Sequence, residues 1–254
     1  MSRKSMSPHG AFSEDEREAV YRAIFERRDV RNDFLSDPIP EKTLRRILLA
    51  AHHAGSVGYM QPWDFVVIRE ATTKQAVKNL FVQANHAAAL QYEGMQATLY
   101  RGLKLEGIQE APLNICVTCT RERGGPSVLG RATVPETDLY STCCAIQNLW
   151  LAARAEGIGV GWVSILDYEA LKGVLGIPPS VWIVAYLCVG YVHAFGDRPD
   201  LEKAGWRKRL SLERLVHHER WGTCVREGEE EADPPDMGFA ERTIECPPRT
   251  PRIL

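Results

Sequence analysis

The segment TDLYSTCCAIQNLWLAARAEG, residues 137–157, constrains the fold more than any other part of this chain. Ala145, Leu149, Ala152 and Ala153 fall in register on a helical face, the rest of the helix is scarcely more polar, and Gly157 supplies a stop. A helix this apolar has to be covered on most sides, which places it centrally. The runs beside it are strand-like: APLNICVTC at 111–119, IGVGWVSIL at 158–166 and VWIVAYLCVGYV at 181–192. With FVVIR at 65–69, strands and helices alternate, but the strands are too few for a doubly wound nucleotide fold. The pattern predicts an α+β architecture, a mixed α/β sandwich.

The remaining elements follow from their end signals. Ser13 and Glu16 form a capping box ahead of a helix that carries Val20 and Ile24 and is expected to end near Arg28. A second helix has Pro40 near its first turn, Leu44, Ile47, Leu48 and Ala51 on one face, and Gly55 as its stop. Residues 71–110 are rich in helix formers with weak periodicity, and a short helix, EALKGVLG, precedes the IPPS turn. The expected organisation is a flexible leader over 1–12, one domain over 13–221, and a tail over 222–254. The tail's Glu, Pro and Arg content gives it too few apolar groups to order itself.

Charge and cysteines limit the partners. There are 31 basic and 33 acidic side chains, so no strong field marks the chain for nucleic acid or an anionic membrane. No apolar run reaches the roughly 20 residues that span a bilayer, and no apolar core follows the basic residues of the N-terminus. Seven cysteines, two of them adjacent at 143 and 144, fit a reducing cytoplasm better than a disulfide framework. Cys116 and Cys119 have CxxC spacing but lie inside a strand-like run, where buried small hydrophobes are expected and an activated thiolate is not.

Four separated stretches carry the candidate chemistry: RRDVR at 27–31, GSVGYMQPW at 55–63, GIGVGWVS at 157–164 and GWRKRL at 205–210. Singly each has a plain structural reading, since arginines after a helix serve its C-terminal turn and glycine clusters make turns. In this order, with LGIP at 175–178, they resemble the nitroreductase-like flavoprotein family. The resemblance covers about residues 16–221. It is closer at RRDVRNDF, YRGLKLEGI and the segment 138–164 to one branch, the flavin-fragmenting 5,6-dimethylbenzimidazole synthases. Gly55 in place of the branch's Pro, Tyr59 in place of Phe, and the acidic tail depart from its pattern.

The resemblance implies FMN binding and a homodimer with its sites at the subunit interface. In that branch reduced FMN is the substrate and dioxygen the co-substrate, giving 5,6-dimethylbenzimidazole, the lower ligand of cobalamin, and erythrose 4-phosphate. A separate flavin reductase supplies the reduced FMN. For the flavin the expected contacts are Arg27, Arg28, Asp29, Val30, Arg31, Ser56, Tyr59, Gly159, Gly161, Ser164, Arg207 and Arg209. Guanidinium forks suit the phosphate and ring carbonyls, though five arginines exceed what a phosphate needs. Gly159 and Gly161 are expected to let the backbone approach the ring, whereas Trp63 is expected in the core. Asp29 is the candidate acid/base and Ser164 the hydroxyl that steers oxygen reactivity, at positions where ordinary nitroreductases commonly carry Ser or Thr and Gly. Two rivals stand beside this reading: an NAD(P)H-dependent nitro or quinone reductase that recycles its FMN, and a flavin carrier without chemistry. A carrier has no use for the carboxylate.

Overall fold

The structure is a computed structural model and describes residues 10–222. The leader up to residue 9 and the tail from 223 lie outside the described residues. The chain divides after Trp206 into two units.

The first unit runs in the order α1 (Glu14–Glu26), α2 (Glu41–His52), β1 (Trp63–Ile68), α3 (Ala71–Ala89), α4 (Gly94–Gly102), β2 (Leu113–Cys119), α5 (Thr137–Ala155), β3 (Ile158–Val163), α6 (Tyr168–Leu175), β4 (Trp182–Tyr191) and α7 (Asp200–Lys203). The four strands form one sheet in the order β1-β2-β4-β3, with every neighbouring pair antiparallel.

Period-two alternation explains why this sheet is covered on both faces. Along β2, Leu113, Ile115 and Val117 enter one core with α2 and α5, while Cys116 points into a second core with α3 and α6. β4 repeats the division, with Ala185, Leu187 and Val189 on the first side and Ile183, Tyr186 and Cys188 on the second. The result is helix, sheet, helix: the expected mixed sandwich. α5 supplies Ala145, Ile146, Leu149, Trp150 and Ala153 to the first core and is the central helix the sequence implied. Trp63 is buried in the same core, and its Nε1 donates to His52 Nδ1 at 3.2 Å. Cys116 and Cys119 are buried and unbridged, and burial pushes the Cys116 thiol up to about 12.

Helix ends follow their signals. The Ser13–Glu16 capping box starts α1, and the helix ends at Glu26, before the arginines. Asp167 accepts from the backbone N–H groups of Glu169 and Ala170 to start α6, and Gly176, at φ +65°, ends it. In the second unit Glu213–Leu215 forms a short 3-10 turn, and the rings of His217 and Trp221 lie 4.4 Å apart.

Candidate active site

The segment after α1 runs along the free edge of β3. Val30 donates its N–H to Val160 O at 3.0 Å, and Asp29 makes a parallel bridge to Val160. The geometry requires glycine in β3: a Cβ at Gly161 would lie 1.9 Å from Val30 O, and one at Gly159 would lie 2.7 Å from Val192 Cγ1 and 3.0 Å from Val30 Cγ2. The space beside the two glycines is filled by this chain's own Val30 segment, so their missing side chains admit that backbone to the sheet edge.

That docking fixes Asp29. Its Oδ1 accepts from Trp162 N–H at 2.9 Å and its Oδ2 from the Arg31 guanidinium. The carboxylate keeps 31% exposure, whereas the Arg31 side chain keeps 13%. Burial raises the Asp29 pKa above the ordinary carboxylate range, and the opposing pull of Arg31 and of the Trp162 N–H does not cancel it. Asp29 is thus ion-paired with Arg31, on a carboxyl poised to hold a proton more readily than a free one.

The three arginines divide their work. Arg28 donates to Phe25 O and Arg27 O at 2.8 Å, closing the C-terminal turn of α1, and to Asp197 O at 2.5 Å. The Arg27 guanidinium stacks over the Trp150 ring, 4.6 Å from its centroid. The Nε atoms of Arg28 and Arg31 are buried without a hydrogen-bond partner among the described residues. Orphaned buried donors are costly, and an anionic or carbonyl-bearing ligand would satisfy them. The chemistry of these donors fits FMN.

The second stretch lies elsewhere. Ser56 Oγ accepts from Gln61 N–H at 3.1 Å, and Ser141 Oγ accepts from Val57 N–H at 3.0 Å. Gly58, Tyr59 and Gln61 all take left-handed conformations, at φ +52°, +53° and +48°. The turn carries Tyr59 outward to 85% exposure. A Cβ at Gly58 would lie 2.6 Å from Val128 Cγ1 and 2.9 Å from Leu129 O, so the turn packs against the 121–136 loop.

Asp29 and Tyr59 of one chain thus sit at opposite edges of the sheet. The order β1-β2-β4-β3 puts three strand spacings, about 14 Å, between the strands that flank them. α5 gives the same measure, because the loop bonds to Ser141 while Arg28 O accepts from Trp150 Nε1, nine residues and about 14 Å along the helix. Ser164 follows β3, exposed, with its carbonyl accepting from Leu166 N–H at 3.0 Å. Arg207 and Arg209 are exposed and belong to the second unit.

Sequence reasoning missed Arg123, whose guanidinium holds the exit of the Tyr59 turn. RERGG looked like an ordinary loop, and nothing local singled out its second arginine. It also missed Ser141 as a partner for the loop. A polar residue early in the most apolar helix was the available signal.

The chain belongs to the nitroreductase family, whose sequence profile matches residues 24–191. Among curated relatives, the 5,6-dimethylbenzimidazole synthase of Rhodospirillum rubrum is 46% identical over 189 residues, 74% of this chain and 89% of that protein. Among solved structures, a BluB-like flavoprotein from Clostridium difficile superposes with a TM-score of 0.60 at 18% identity, covering 79% of this chain and 99% of that one. Oxidised iodotyrosine deiodinase bound to FMN and 3-iodo-L-tyrosine gives 0.60 at 19% identity, over 70% and 92%. At those identities the two structures share the fold.

Proposed function

We propose that this protein is a 5,6-dimethylbenzimidazole synthase that consumes reduced FMN and dioxygen and releases 5,6-dimethylbenzimidazole and erythrose 4-phosphate. The observation that carries the reading is its likeness to a curated synthase across nearly that enzyme's whole length. Reduced flavin supplies the electrons for dioxygen, and the chain's residues supply position and protons. Arg28 and Arg31 are assigned to the anionic and carbonyl groups of the flavin through their unsatisfied Nε donors. Asp29, anchored by Trp162 N–H and raised by burial, is assigned the proton transfers at the ribityl side. Ser164 is assigned a hydrogen bond near the flavin edge. Arg207 and Arg209 are assigned to the phosphate by the family pattern alone.

The working form in this reading is a homodimer in which the Ser56–Tyr59 turn of one subunit faces the Asp29 segment of the other. Support comes from their separation within a single chain and from α1, which buries none of its residues and exposes Val20, Tyr21, Ile24 and Phe25. No helix among the described residues is long and apolar enough to cross a membrane. We assign the protein to the cytoplasm, where a separate reductase supplies the reduced FMN that the enzyme consumes.

The test is direct. Chemically reduced FMN is mixed with the protein and air, and the product is sought by mass. Dimethylbenzimidazole in amounts set by the flavin supplied supports the reading; sustained NAD(P)H oxidation with intact FMN and no benzimidazole replaces it with a recycling reductase.

A further inference from the structure

We infer that Arg123 is a positioning residue for flavin binding, which holds the Tyr59 turn in a conformation it would not keep alone. The inference rests on the reading that this turn faces the flavin.

Three of the four residues from Gly58 to Gln61 are left-handed, and two of these, Tyr59 and Gln61, carry a Cβ that disfavours that region. Such a turn persists only where its surroundings over-determine it. Arg123 provides that constraint at the exit. Its Nη1 donates to Gln61 O at 2.6 Å and to Trp63 O at 2.8 Å, while its Nη2 spans both Asp64 oxygens, at 2.6 and 2.8 Å. One planar group ties two carbonyls and a carboxylate from three residues within a four-residue stretch, which a lysine's single ammonium cannot do.

The guanidinium is itself mounted on fixed ground. Thr120 N–H donates to Pro62 O at 2.7 Å, and Thr120 Oγ1 donates to Asp64 Oδ2 at 2.7 Å. The far side of the same loop is pinned by the buried Asp138, which receives Arg121 Nε and Arg131 Nη2 at 2.9 Å each. Gln61 Nε2 donates back to Tyr59 O at 2.9 Å, so the residue Arg123 grips is the one that braces the tyrosine backbone. Among the described residues the Arg123 guanidinium bonds to Gln61, Trp63 and Asp64, none of them a candidate flavin contact, and acts through the turn.

The experiment compares FMN affinity, by quenching of flavin fluorescence, in wild type, Arg123→Ala, Arg123→Lys, Gln61→Gly and the double variant Arg123→Ala/Gln61→Gly, with melting temperature and oligomeric mass measured in parallel. Losing hydrogen bonds from a charged donor predicts FMN binding weakened about 10- to 100-fold in Arg123→Ala and nearly as much in Arg123→Lys. Glycine is at ease at φ +48°, so the double variant should regain most of that affinity without regaining the lost contacts. Recovery of this kind separates positioning from a general loss of stability. If Arg123→Ala does not fold, Asp64→Asn, which loosens the same guanidinium without removing it, takes its place. Wild-type affinity in Arg123→Ala, or in its replacement, overturns the inference, as does a double variant that stays weak while Gln61→Gly alone binds normally. Failure of wild type to bind FMN at all overturns instead the functional reading on which the inference rests.

Discussion

The sharpest consequence of the strand order is that two inactive variants should repair each other. Asp29→Asn removes the carboxylate at the β3 edge. Gly58→Val removes the turn at the β1 edge, because a Cβ there would lie 2.6 Å from Val128 Cγ1 and 2.9 Å from Leu129 O. A β-branched residue at φ +52° adds a conformational cost of about 1–2 kcal/mol. Each homodimer should therefore make little benzimidazole. If the turn serves the site of the other subunit, a heterodimer of the two variants contains one site with both defects and one with neither. Heterodimers isolated with two different tags should then give about half the wild-type product per dimer, since a two-fold dimer holds two equivalent sites. If both elements served a site within one chain, every site would carry a defect and the heterodimer would be as inactive as its parents. The 14 Å or so between the two edges, reached both across the sheet and along α5, favours the first outcome. With wild type active in the same assay, a heterodimer no better than either homodimer would refute the shared site.

Three further expectations concern single residues. Asp29→Asn should bind FMN and yield little product. Burial raises the Asp29 carboxyl, so the acid limb of the wild-type product-against-pH curve should stand above the ordinary carboxylate range and disappear in the variant. For stability the sign is opposite to that of a salt-bridged surface Asp: the contribution of Asp29 is present below its unfolded pKa and lost as pH rises through the raised folded value, which denaturant titrations at several pH values will show as a slope missing from the variant. Gly161→Ala should destabilise the first unit by at least about 2 kcal/mol and weaken FMN binding together, because its Cβ meets Val30 O at 1.9 Å and pushes the Asp29 segment off the sheet edge; an unshifted melting curve would contradict this. Ser164→Gly should keep the fold and the flavin while lowering product yield, and a yield equal to wild type would leave Ser164 without a chemical role.

What the sequence disclosed and what it hid divide along a physical line. Periodicity reports burial, so β2, β4 and α5 were legible: each side chain on β2 is buried, and a strand between two helical layers has to read as a continuous apolar run. Capping chemistry is local and was legible at Ser13 and Glu16. Pairings across long sequence separations were not. Gly159 and Gly161 announced a close approach, but a glycine states only that something comes near, and its neighbour here is Val30, some 130 positions away in the chain. Asp29 was singled out by comparison with a family, while the N–H that anchors it belongs to Trp162 and follows from no pattern in RRDVR. Arg123 is the clearest case. Its loop was visible as a loop, yet the two carbonyls it binds precede it by about sixty residues, and the left-handed turn it stabilises contains a tyrosine and a glutamine where conformational preference alone would have placed glycine or asparagine. A local rule broken at Tyr59 and Gln61, with the compensating bonds supplied from a distant loop, is the pattern expected where a chain holds a shape for a ligand and not for its own stability.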